Sequence, residues 1–91
     1  MPTVDYEIWH RATHDALQAL NADSVDSALR YLTSARTTAE SGDAAVLCAV
    51  AFDTMAIARS SIRDDDAANS AWRFAQGCLD IEYGRAQSRS V

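Results

Sequence analysis

Glu7, His10 and His14 are the residues of this chain whose types and spacing come nearest to chemistry. Positions i, i+3 and i+7 fall along one side of a helix, and carboxylate and imidazole are the ligands that zinc and di-metal sites use. A Glu-x-x-His pair is half of what a di-metal helical bundle needs. Such bundles use the motif twice with further carboxylates, and this sequence has no third His. The competing reading of the same residues is a solvated helix flank on which Glu7 pairs with Arg11 four residues on. That reading is preferred, and no metal or other cofactor is expected. Cys48 with a His, and Ser60 or Ser61 with His14, name the parts of nucleophile and base pairs. Nothing beside them supplies an oxyanion hole or an orienting third group. Asp64, Asp65 and Asp66 lack the alternating ligands, central Gly and closing Glu of a calcium loop and read as a capping turn. The chain is therefore expected not to be an enzyme.

Composition bounds the rest. Ninety-one residues allow one domain, and 48% hydrophobic against 23% charged residues is a globular balance. Eighteen residues are Ala, so the core is short of large side chains and the fold is expected to lean on a partner or on self-association. A net charge of −5 argues against a nucleic-acid or anionic-membrane surface and leaves a protein, small-molecule or cationic partner. No apolar run has the length of a membrane span, and Met1 to Ile8 lack the basic start and apolar centre of a signal peptide, so a soluble, cytoplasmic protein is expected. Cys48 and Cys78 sit inside apolar helical patterns and read as reduced core residues, with a disulfide between them as the alternative.

These side chains must be carried by helices, since the only Pro is Pro2 and the only glycines are Gly42, Gly77 and Gly84. The periodicity predicts an all-α, compact four-helix bundle-like domain of antiparallel hairpins, with helices at about 4–20, 24–40, 44–62 and 67–84 and a frayed tail at 85–91. Thr3 or Asp5 caps the first helix, whose apolar stripe is Tyr6, Trp9, Thr13, Ala16, Leu17 and Leu20. Asp23 or Ser24 opens the second. Gly42 is expected in the left-handed position that ends it, and Asp43 as the cap of the third. The third helix carries only Asp53 and Arg59 as charges, with Ala44, Cys48, Ala51, Phe52, Met55, Ala58 and Ile62 on one side and Val46, Val50 and Ile57 on the other. It is predicted to be the central buried helix, covered on both sides.

The fourth helix has two apolar seams: Ala68, Trp72, Ala75, Leu79 and Tyr83, and opposite them Phe74 and Ile81 beside the small residues Ser70, Gly77 and Cys78. One core needs one seam. Phe74, Gly77, Cys78 and Ile81 are therefore the expected protein-interaction face. Ser41, Gly42 and Asp43 before an Ala-rich helix, and Trp72 followed by Gly77 and Tyr83, resemble the hairpin logic of tetratricopeptide repeats. The Trp-to-Gly spacing is one residue longer than in that motif and its closing Pro is absent, so the likeness is one of hairpin design and not of family. The expected function is a non-enzymatic protein-binding module. By analogy of size, charge and helix content it is similar to small inhibitors of phages and mobile elements, anti-CRISPR proteins and antitoxins among them. The alternatives are a small-molecule or metal-binding bundle, with Glu7, His10, His14 or Trp9, Trp72 and Tyr83 at its site, and a structural homo-oligomer.

Overall fold

The structure is a computed structural model that describes residues 5–89, so Thr3 and the last residues of the tail lie outside it. Four helices follow in order: α1 (Tyr6–Asn21), α2 (Val25–Ser41), α3 (Ala45–Ser61) and α4 (Asp65–Arg89). They form an all-α, four-helix bundle-like domain in which each helix packs mainly on its neighbours in sequence, α1 on α2, α2 on α3 and α3 on α4. α3 is the central helix. Asp5 caps α1 by accepting a hydrogen bond from the Ile8 amide at 3.1 Å, satisfying one of the free donors of the first turn.

The three turns share one design and explain why the helices alternate in direction. Asp23, Asp43 and Arg63, twenty residues apart, all take left-handed backbone conformations, with φ of 59°, 53° and 64°. In each, the next amide reaches back to the helix just ended: Ser24 N to Ala19 O at 2.8 Å, Ala44 N to Ala39 O at 2.9 Å and Asp64 N to Arg59 O at 3.0 Å. These are Schellman closures, and the residue that completes each closure begins the next helix. Gly42 was expected in the left-handed position and is not there. Its φ is −93°, because α2 continues through Ser41 and moves the left-handed site on by one residue to Asp43. Nor does Asp43 cap α3. Its carboxylate is held by Arg85, and Ala44 stands at the cap position without a side-chain bond.

The core is thin because alanine makes most of it. Among the described residues, twelve of the fifteen buried hydrophobic ones are Ala, and Leu32 is the one large side chain that is wholly enclosed. Small side chains let helix axes approach closely, and the larger residues are displaced to the margins. Ala12, Ala35 and Ala51 bring α1, α2 and α3 together with Trp9 against them, while Ala49, Phe52 and Ala75 join α3 to α4 with Met55 and Cys78 alongside. Trp9 carries a cost there, since its indole Nε1 is buried without a hydrogen-bond partner among the described residues.

Several expected faces are rotated. On α1 the buried positions are Ala12 and Ala16, so Tyr6 and Leu17 fall outside the inner arc and are exposed. Val46, Val50 and Ile57 of α3 were expected to be covered, yet all three are exposed. The partners of α3 approach from two directions on its Cys48 and Phe52 side, leaving the wide side open. Finally, α4 does not stop at Gly84. It runs to Arg89, with Gly84 in ordinary helical conformation, and Arg85 tied to Asp43 and a Gln87 to Tyr83 hydrogen bond of 2.8 Å support the added turn. No helix among the described residues is long and apolar enough to cross a membrane.

Candidate functional site: the two flanks of the fourth helix

The position of α4 on α3 decides which of its side chains are free. It packs through Ala68, Ala71 and Ala75, with Cys78 half-buried one turn further on. At about 100° per residue this small-residue line runs between the two apolar seams, so neither seam faces inward and each becomes a flank. Trp72, Leu79 and Tyr83 are exposed on one side. Phe74 and Ile81, 62% and 54% exposed, lie on the other.

The Phe74 flank is the more structured. Phe74 stacks on Phe52 with ring centroids 5.2 Å apart and planes inclined by 21°, and the Arg36 guanidinium lies over the Phe52 ring at 5.3 Å from its centroid. Phe52 and Phe74 thus form a ridge between α3 and α4. On one side of it is a shallow depression lined by Met55, Arg59, Ala67, Ser70 and Ala71. On the other is a groove of about 250 Å³ bounded by Glu40, Asp43, Cys48, Cys78, Ile81 and Arg85. Of the four residues expected to make the interaction face, Phe74, Cys78 and Ile81 converge on this ridge and groove. Gly77 points away from α3 with nothing within 4 Å of where a Cβ would stand. It leaves bare helix backbone between Phe74 and Ile81.

Charge and hydrogen bonding hold the ends of the groove. Arg85 Nη2 meets Asp43 Oδ1 at 2.8 Å and Nη1 donates to the Asp43 carbonyl at 3.3 Å, closing the end where the α2 to α3 turn meets the last turns of α4. At the far end of the ridge Arg59 pairs with Asp64 at 3.5 Å. Inside the groove the Cys48 thiol lies 3.8 Å from the Arg36 carbonyl, to which it can donate. Both cysteines are free. Burial, with further contributions from nearby Cys78 and Glu40, pushes the Cys48 thiol up to about 11, so it is neutral and unreactive at ordinary pH.

The other predicted sets do not assemble. Glu7, His10 and His14 line an open concavity with Tyr6, Trp9 and Arg11, but one helix spreads Glu7 and His14 over about 10 Å of axis. No other helix brings a ligand to them, and among the described residues no group of three His, Cys, Asp or Glu could hold a metal ion. Glu7 and Arg11 stand 3.7 Å apart as an exposed ion pair. Trp9 belongs to the cluster between α1, α2 and α3, whereas Trp72 and Tyr83 are exposed on α4, so these aromatic residues share no pocket wall. Asp64 accepts a 3.4 Å hydrogen bond from the Ala67 amide, and Asp65 and Asp66 occupy the first turn of α4, where carboxylates favour the helix dipole. What the residue pattern did not reveal is that the Trp72 flank is also open. The one signal available was the excess of large apolar residues over alanine-sized space in α3 and α4.

Comparison with protein-family models, with curated proteins and with solved structures finds no match for this chain.

Proposed function

We propose that this protein is a non-enzymatic protein-binding module that engages its partner through the Phe74, Gly77, Cys78 and Ile81 side of α4. One observation carries the reading: Phe74 and Ile81 remain more than half exposed on either side of a helical glycine whose outer face is open. A partner helix or strand can approach the bare backbone at Gly77 while the two large side chains enter its surface. The surroundings have the anatomy of an interface, an apolar centre at Phe52 and Phe74 rimmed by Arg36, Arg59 and Arg85. Arginine suits such a rim, since its planar guanidinium stacks on aromatic rings and pairs with carboxylates. The small, acidic, all-helical character supports the narrower reading of an inhibitor or regulator of the phage or mobile-element kind, anti-CRISPR-like or antitoxin-like.

The test places a photo-crosslinking residue at position 77 and, as a control, at Thr33 on the exposed side of α2, with the protein expressed in its own host. A discrete adduct is expected from position 77 alone. It should disappear in Phe74→Asp and Ile81→Asp, with helical circular dichroism retained. Equal adducts from both positions, or an adduct indifferent to those substitutions, would overturn the proposal.

A further inference from the structure

The opposite flank of α4 points to a second copy of this chain. α2 begins at Val25 and α4 at Asp65, so the two helices match with an offset of forty residues. Ala28 and Ala68, and Ala35 and Ala75, are buried in both. Leu32 and Ala39 of α2 are wholly buried as well, because α2 has a helix on each side. Their counterparts on α4, Trp72 and Leu79, are 46% and 41% exposed. The difference is the helix that follows. α3 lies against α2 where none of the described residues lies against α4, so Trp72, Leu79 and Tyr83 mark the position a fifth helix would take.

The charges beside that stripe select its occupant. Arg73 and Asp80 lie two turns apart on the same edge of the flank, with Gln76 between them donating to Asp80 at 3.2 Å. Arg73 is exposed and makes no ion pair among the described residues. An edge with a cation at one end and an anion at the other complements its own copy when the copy runs antiparallel. Every successive pair of helices in this fold already packs in that sense. We infer that α4 of a second molecule fills the fifth position across a two-fold axis near Gln76, with Trp72 of each copy against Leu79 of the other and two reciprocal Arg73 to Asp80 pairs. Val46 and Val50, exposed on the same side of the α3–α4 hairpin, border the interface and extend its apolar area. The Phe74 flank stays outside it, so dimerisation and partner capture use different sides of one helix and fail independently.

The experiment is sedimentation of the full chain at about 1 to 100 µM, a range that brackets an ordinary helix-pair affinity. The wild type should be a dimer of twice the monomer mass. Arg73→Asp and Asp80→Arg, each removing two pairs and adding two repulsions, should each weaken dimerisation at least about tenfold, and the double exchange Arg73→Asp with Asp80→Arg should restore it. Leu79→Asp should give a folded monomer by circular dichroism. A wild type that is monomeric across the range, a dimer indifferent to the charge exchanges, or a dimer dissociated by Ile81→Asp but not by Leu79→Asp would overturn the inference. A dimer that forms as described while position 77 captures nothing would leave the self-association standing and sink the partner-binding proposal alone.

Discussion

α2 and α4 are built on the same spacing of small buried residues, yet they have different surroundings. α2 has a neighbour on each side, buries Leu32 completely and presents threonine, serine and charged residues outward. α4 has one neighbour, buries alanine, and leaves Trp72, Phe74, Leu79, Ile81 and Tyr83 exposed. An amphipathic pattern therefore states how much apolar surface a helix carries, and the number of helices placed around it decides how much is covered. The binding surface of this protein is the part of α4 that one neighbour cannot cover.

The sharpest way to break that comparison is to truncate equivalent residues. Leu32→Ala empties the one enclosed large site and should cost about 2–5 kcal/mol in urea unfolding, whereas Trp72→Ala in dilute monomer should cost well under half of that. Equal losses would mean that α4 is as enclosed as α2. Enlarging a residue should separate the helices in the opposite sense. Ala39→Leu enlarges a residue that has no exposed surface and should lose about 1–3 kcal/mol, while α4 already carries Leu79, 41% exposed, at the equivalent position.

A third contrast concerns the two thiols of the groove. Cys48 titrates near 11 instead of its ordinary 9.0 because burial disfavours the thiolate. The unfolded chain thus loses this proton at lower pH than the folded one. The stabilisation is complete below about pH 9 and is lost as pH rises from there to about 11. Cys48→Ala should flatten that alkaline arm of the stability curve, and at pH 8 a disulfide reagent should modify half-buried Cys78 well before Cys48. Simultaneous modification would show that α3 and α4 separate readily. The smallest effect belongs to the solvent side of α4, where a Cβ at Gly77 meets nothing. Gly77→Ala should raise stability by about 0.5–1 kcal/mol, read as a shift in the unfolding midpoint, and a loss would reveal a neighbour not accounted for.

Where the sequence could be read, local physics was the reason. Asp5, the Asp64 to Asp66 turn and the polar breaks around Asn21 and Ser41 mark helix ends through free amides and dipoles, which involve only nearby residues. The identity of the left-handed residue at the second turn was not legible, because one extra residue of helix moves it from Gly42 to Asp43 and a carboxylate that could cap was taken by Arg85, forty-two residues away. The end of α4 was missed for a related reason, since Gly84 is a stop signal only when nothing anchors the chain beyond it. At the candidate site, Phe74 and Ile81 were legible as a surplus seam. Phe52 as the other half of the ridge, and the openness of Trp72 and Leu79, were not, because both depend on how α4 is rotated on α3.

The sequence by itself determined four antiparallel helices, an alanine-rich core and more apolar surface in α3 and α4 than one core can hold. Those properties follow from composition, period and capping, which act over a few residues. Only the tertiary structure decided that α4 packs through the alanine line between its seams, so that both seams become flanks. Alanine allows the closest approach of the helix axes, and the larger side chains then have room only at the edges.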